Sequence, residues 1–261
     1  MNSLTELLTS RRAERRKALA LFLTAGYPAR DSTPGLVLPL ADSGADIIEI
    51  GMPFSDPLAD GPVIQKSSAA AIANGVTIPS ILDDVRTIRK SSPVPIVLMG
   101  YVNPILSYGA DRFFSDASDS GVDGVILPEL TLEESGRFRN AVASRGLAQI
   151  LLVAPTTPAD RVRAIDEASS GFLYCVSTTG VTGSSPRGSP VEFLARVRSH
   201  AVRNPLLIGF GIASAEDARH AASLGDGVII GSALIRRIDG GGDAASLSAW
   251  VRSIRSALDA R

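Results

Sequence analysis

The stretch ADIIEIGMPFSDPLADGPVIQKSSAAAIA (residues 45–73) holds an apolar run, a loop crowded with Gly and Pro, and a helix-like tail opened by Pro62. Its run ADIIEI (45–50) is continuously rather than alternately apolar, the pattern of a strand covered on both faces. Seven further runs of this kind stand at ALALFL (18–23), PIVLMG (95–100), DGVILP (123–128), AQILLV (148–153), GFLYCV (171–176), PLLIGF (205–210) and DGVIIG (226–231). Between them lie amphipathic stretches such as IPSILDDVRTIRK, LEESGRFRNAVASR, PADRVRAIDEAS, PVEFLARVRSH and SAEDARHAASLG, several opened by Ser, Asp or Pro. Eight strand–helix units in 261 residues predict an α/β chain folded as a (β/α)8 TIM barrel. A doubly wound sheet is the structural alternative, because closure does not show in a sequence. No Pro-, Gly- or Ser-rich linker divides the chain, so residues 1–261 are expected to form a single barrel domain. Residues 3–17, with Leu4, Leu7 and Leu8 at helical spacing, predict an extra N-terminal helix over the barrel's lower end. SALIRRI (232–238) predicts a short extra helix after strand eight.

Composition narrows the chemistry. An apolar fraction of 45% with 20% charged residues fits a globule with a sizeable core and excludes disorder. With 26 basic against 27 acidic residues and a formal charge of -1, no basic field steers the chain onto nucleic acid. Aromatics at 5% also argue against a base-stacking platform. No apolar run approaches the roughly 18 residues that span a bilayer, and MNSLTELLTSRRAERRK lacks the apolar core of a secretion signal, so a cytoplasmic location is expected. The cluster Arg11, Arg12, Arg15, Arg16 and Lys17 reads as a solvated face rather than a phosphate-binding patch. Cys175, inside FLYCVS, reads as a small buried hydrophobe. His200 and His220 lie in separate helix-like stretches without metal-ligand spacing, so no metal site is expected. Lys17, Lys66 and Lys90 all avoid strand ends, where a Schiff-base lysine would be desolvated. Any catalysis therefore falls to carboxylates and backbone groups.

In such barrels the working residues cluster at the C-terminal ends of the strands. The second run ends IIEIG, placing Glu49 among isoleucines at that end. Burial there raises a carboxyl pKa toward values useful for acid–base work; an outward Glu paired with a helix Arg is the other reading. The following loop, GMPFSDPLADGP (51–62), holds Asp56 and Asp60 between Pro53, Pro57 and Pro62. The prolines stiffen it, so Asp60 is either held facing the site or caps the helix that starts at Pro62, while Asp56 reads as a turn cap. Gly209, Gly211, Gly231 and Ser232 fall where loops after strands seven and eight bind phosphate in this fold, and the short helix near Ser232 adds its positive dipole end. STTGVTGSSPRGSP (177–190) is long enough for a closing lid. Three glycine-rich loops after consecutive strands predict a phosphorylated ligand.

The motif IEIGMPFSDPLADGPVIQ (48–65) resembles the tryptophan synthase alpha chain family, and its ADG-containing loop is highly specific. The resemblance continues in order through FLTAGYP (22–28), YVNPI (101–105), GVDGVILPEL (121–130), YCVSTTGVTG (174–183), GFGI (209–212) and GVIIGSA (227–233), nearly the whole chain. It implies a carbon–carbon lyase of tryptophan biosynthesis that cleaves indole-3-glycerol phosphate to indole and glyceraldehyde 3-phosphate. It implies Glu49 and Asp60 as the catalytic carboxylates. Phe22, Tyr101, Tyr174, Thr182, Gly183, Phe210, Gly211, Gly231 and Ser232 are then the indole pocket and phosphate cradle. It also implies a beta-chain partner in an α2β2 heterotetramer, with pyridoxal phosphate in the beta chain and no cofactor in this one.

Two departures stand out. After strand four the family usually reads Pro-Asp-Leu-Pro, whereas this chain has Pro128, Glu129, Leu130 and Thr131, in a loop that faces the beta chain in the family. The lid's GSSPRG replaces a more usual Gly-Ala-Arg. The altered Glu129 loop keeps open a free-standing lyase that releases indole. A catalytically idle phosphate-ester sensor is disfavoured by both carboxylates standing in place.

Overall fold

The computed structural model describes residues 3–176, 190–209 and 211–260. Eight parallel strands pair in chain order: β1 (Ala18–Thr24), β2 (Ile47–Gly51), β3 (Ile96–Met99), β4 (Gly124–Ile126), β5 (Ala148–Val153), β6 (Leu173–Val176), β7 (Leu206–Gly209) and β8 (Gly227–Ile230). β8 pairs back onto β1, with Ala18 opposite Gly227 and Leu21 opposite Ile230, so the sheet is a closed barrel and not a doubly wound layer. The helices are α1 (Ser3–Ala13), α2 (Ser32–Asp42), α3 (Pro62–Ala73), α4 (Ile78–Arg89), α5 (Val102–Tyr108), α6 (Ala110–Ser120), α7 (Leu132–Ala143), α8 (Ala159–Ala168), α9 (Pro190–His200), α10 (Ala215–Leu224), α11 (Ser232–Asp239) and α12 (Ala244–Asp259). α11 is the short helix expected after strand eight.

Strand geometry sends alternate side chains to opposite faces, and in a closed barrel both faces are dry. Leu19, Leu21, Leu23, Ile48, Ile50, Ile96 and Leu98 pack outward against helix residues such as Val37, Leu40, Leu82 and Val85. Ala18, Ala20, Ile47, Val97, Ile126, Ile150, Phe172 and Leu207 fill the interior, with Leu4 and Leu8 of α1 packed among them. This is why the runs read as continuously apolar. α1 therefore covers the lower end as expected, yet it stops at Ala13 instead of reaching Lys17. Arg15 turns left-handed with φ 54°, and the Arg16 N–H donates back to the Arg11 carbonyl at 2.8 Å, which closes the helix.

The lower rim is held by aspartates that immediately precede strands. Asp46, before β2, accepts from the Leu19 N–H; Asp123, before β4, from the Ile96 N–H; Asp226, before β8, from the Leu206 N–H, each at 2.8 Å. Each carboxylate thus pairs a donor on the neighbouring odd strand where the regular ladder begins. Arginines neutralise them: Arg11 and Arg255 on Asp46, Arg89 on Asp123, Arg198 on Asp226. Asp46 and Arg255 are almost wholly buried, so their pairing is worth more than a surface bridge. Replacing Asp46 by Ala is expected to cost about 3 kcal/mol, because it orphans the buried Leu19 N–H and takes one of the carboxylates from the buried Arg255, which keeps Asp259. Urea unfolding checks this: the midpoint falls while the slope stays constant.

Candidate active site

Parity along β2 sets the central residue. Ile47 belongs to the interior cluster, so Glu49, two residues on, faces the barrel axis, with Phe22 opposite it on β1 and Val97 on β3. Glu49 is 0% exposed. Among the described residues neither carboxyl oxygen has a hydrogen-bond partner. Desolvation without compensation pushes its pKa up to about 8. The outward reading, a Glu paired with a helix Arg, is therefore excluded.

Asp60 sits in the loop between β2 and α3. The N-cap of α3 is Gly61, with no side-chain cap, so Asp60 is not the helix cap that its position allowed. Its pKa is pushed up to about 6, first by burial and further by the negative charge of Glu129, while a hydrogen bond with Tyr101 pulls the other way. The loop is fastened beside it: the Tyr101 hydroxyl accepts from the Ala59 N–H at 3.0 Å, and the Tyr101 ring packs on Phe54 with centroids 5.2 Å apart. Asp56 is exposed; its side chain accepts from the hydroxyl of its neighbour Ser55 at 2.5 Å, and the turn is closed by its backbone carbonyl, which accepts from the Leu58 N–H at 2.9 Å. The two carboxyls share a neighbour. Tyr174, buried on β6, has its pKa raised by desolvation and then by the charges of both Glu49 and Asp60.

The rings at the mouth lean on missing side chains. A methyl group at Gly51 would come within 2.5 Å of the Phe22 ring, and one at Gly209 within 2.5 Å of the Tyr174 ring. Phe22 and Tyr174 thus occupy space that only glycine leaves, at the ends of β2 and β7. β7 and β8 are direct neighbours, so Gly211, with φ +78°, lies beside Gly231 and Ser232, which open α11. Free N–H groups of a helix's first turn and its positive dipole end suit an anion. Thr182, Gly183 and Phe210, and the lid proposed at 177–190 except for Pro190, lie outside the described residues.

Comparison with known proteins shows the family. The family model described as tryptophan synthase alpha chain matches residues 8–254. The chain belongs to the tryptophan synthase alpha chain family. A tryptophan synthase alpha chain of Geotalea daltonii is 46% identical over 227 residues, covering 86% of each chain, and one of Laribacter hongkongensis is 43% identical over the full length of both. Among solved structures, tryptophan synthase subunit alpha from Legionella pneumophila superposes with a TM-score of 0.89 at 37% identity, covering 99% of both chains. Tryptophan synthase of Mycobacterium tuberculosis gives 0.91 at 35% identity, covering 100% of this chain and 99% of that one.

Where the alpha chain family usually has Asp after strand four, this chain has an exposed Glu129. Its Oε1 accepts from the Val102 N–H at 2.5 Å, fastening the start of α5 next to Tyr101. Nothing in the residue order marks that contact, which joins residues 27 apart in the chain. The buried hydrogen bond between Thr24 and Ser67, 2.6 Å long, ties α3 to β1 and was equally hidden. Cys175 is buried and its thiol is pushed up to about 12 by desolvation, in keeping with a core role. Among the described residues no cluster of His, Cys, Asp and Glu stands ready to hold a metal, and no helix is long and apolar enough to cross a membrane.

Glu49 leaves a signature on stability. Its carboxyl ionises at the ordinary 4.5 in the unfolded chain and at about 8 when folded. Stability is therefore fully present below the lower value and is lost as pH climbs through the upper one. Glu49→Gln cannot ionise, so its Tm is expected to match the wild type near the lower pH and exceed it by several degrees near the upper. Calorimetry across that range checks it; a difference independent of pH would mean that Glu49 ionises normally.

Proposed function

We propose that the chain, as a single barrel domain, cleaves indole-3-glycerol phosphate to indole and glyceraldehyde 3-phosphate, acting as the alpha subunit of an α2β2 tryptophan synthase. The carrying observation is the separation of two carboxyls on one mouth, Glu49 titrating at about 8 and Asp60 at about 6. At pH 7 the first is an acid and the second a base, the condition for dividing acid–base work by environment. Glu49 delivers its proton to C3 of the indole ring, giving an indoleninium whose positive nitrogen faces the Asp60 carboxylate. The Glu49 carboxylate then takes the proton of the glycerol hydroxyl next to the scissile bond. The carbon–carbon bond breaks, its electron pair neutralises the ring, and the hydroxyl carbon leaves as an aldehyde. The substrate is its own electron sink, so the step calls for no cofactor in this chain; pyridoxal phosphate is assigned to the beta chain.

Phe22, Tyr101, Tyr174 and Phe210 are assigned to the indole ring. Gly211, Gly231, Ser232, Thr182 and Gly183 are assigned to the phosphate, whose charge suits the α11 N-terminus. Leu58, at the tip of the loop that carries Asp60, is 95% exposed, and Leu106 on α5 at the same end is also exposed. Apolar groups bared on a catalytic loop favour a docked beta chain over a free-standing lyase.

Steady-state cleavage across pH tests the chemistry. For wild type, kcat/KM is expected to be bell-shaped, with an acid limb near 6 and an alkaline limb near 8. Glu49→Gln is expected to lose about a thousandfold or more in kcat with little change in substrate affinity; wild-type turnover in that variant would refute the assignment. The acid limb can be moved in either direction. Tyr101→Phe removes the hydrogen bond that lowers the Asp60 pKa and shifts the acid limb upward, while Glu129→Gln removes a like charge and shifts it downward. The subunit reading is tested by adding beta chain: cleavage is expected to accelerate, and Leu58→Ser to need more beta chain for the same acceleration. No acceleration would leave a free-standing lyase.

A further inference from the structure

At the opposite end of the barrel a second cavity, of about 200 Å³, opens between the end of α1 and the residues that lead into β7 and β8. Arg11, Arg12, Arg15, Arg16 and Lys17 line it, against Asp226 as the carboxylate on its wall. Arg12 and Arg15 are exposed, as the reading of this cluster as a solvated face expects, and together the five cations bound a concavity. Three of the five cations are already engaged. Arg11 pairs with Glu14 and Asp46, Arg16 with Asp259 and more distantly Glu14, and the Lys17 ammonium donates to the Gly225 carbonyl at 2.8 Å. The carboxylates near the cavity are likewise taken: Asp46 and Asp259 also hold Arg255, and Asp226 holds the Leu206 N–H and Arg198. Among the described residues no hydrogen bond or ion pair engages the side chains of Arg12 and Arg15.

Arg15 holds its place against the backbone. It occupies the left-handed position that closes α1, where its N–H meets the Arg12 carbonyl at 3.2 Å, a position normally given to glycine. A guanidinium is thereby kept at the cavity wall where a hydrogen atom would sit with less strain. Like charges converging on a concavity repel one another, and an oxyanion between them relieves the repulsion. Guanidinium N–H forks match phosphate oxygens two at a time. The volume admits a phosphate or pyrophosphate group with a small organic remainder and is too small for a nucleotide chain.

We propose that this lower cavity binds a small phosphorylated anion, a pyrophosphate or phosphate monoester, in a second site at the end of the barrel away from Glu49 and Asp60. Arg12 and Arg15 supply its free N–H donors, and the site stands independently of the cleavage reaction. Pyrophosphate titrated calorimetrically into the full chain at about 150 mM salt, where exposed charges are screened beyond roughly 8 Å, tests it. The comparison is Arg12→Ala with Arg15→Gly, a pair that removes both forks and suits the left-handed backbone. Wild type is expected to show a saturable binding event that the double variant weakens about tenfold or more, with cleavage kcat and KM unchanged. Pyrophosphate bound at the catalytic mouth appears equally in both proteins, so the difference reads the lower cavity alone. If the double variant folds poorly, Arg12→Gln alone gives the same comparison. Equal binding in wild type and variant, or none in either, would overturn the site. A single-stranded oligonucleotide bound in preference to pyrophosphate and lost in the same variant would make the patch a nucleic-acid surface and overturn it too.

Discussion

A carboxyl group inside a closed barrel, with no partner for either oxygen among the described residues, constrains everything around it. Burying the ionised form without compensation is costly enough that the group changes its protonation state instead. Glu49 does so through position alone: it sits on the inward face of β2, one alternation above Ile47, where the interior is still packed with Phe22 and neighbouring apolar groups. A cation in reach would undo it, and among the described residues the two strand neighbours in register with Glu49 supply none: β1 offers Phe22 and β3 offers Val97. The closed barrel thus converts an ordinary glutamate into a neutral acid at physiological pH.

The two ends of the barrel handle charge in opposite ways. At the lower rim, Asp46, Asp123 and Asp226 are met by backbone N–H groups and arginines, and each holds the start of a neighbouring strand. At the upper mouth, Glu49 is left without compensation and Asp60 is only partly compensated, by Tyr101. The same residue types serve stability below and, in the proposed reaction, chemistry above, and what separates them is whether donors are supplied. The cations beyond the lower rim follow the converse logic, with Arg12 and Arg15 in excess of the carboxylates available to them.

The barrel was legible because burial on both faces writes itself into composition: eight continuous apolar runs need no partner to be recognised. Glu49 was legible as a candidate but not as a fact, since strand parity is fixed only once the register with Phe22 and Val97 is known. Asp60 could equally have capped α3, and the decision rested on Gly61 taking that place. Glu129 on Val102, Thr24 on Ser67 and the aspartates on neighbouring strands were hidden because they join residues far apart in the chain with no periodicity to betray them. The N-terminal helix was foreseen, but its end was not, because arginine at a left-handed position defies the usual signal for a helix stop. Thr182, Gly183 and Phe210 rest on resemblance alone.

Infrared difference spectroscopy between wild type and Glu49→Gln at neutral pH reads the protonation of that one side chain directly. Glu49 held neutral by burial gives a protonated-carboxyl band in the wild type that the variant lacks and that fades as pH is raised through about 8. A wild-type spectrum showing only carboxylate at neutral pH would contradict the central claim that desolvation alone sets the acid.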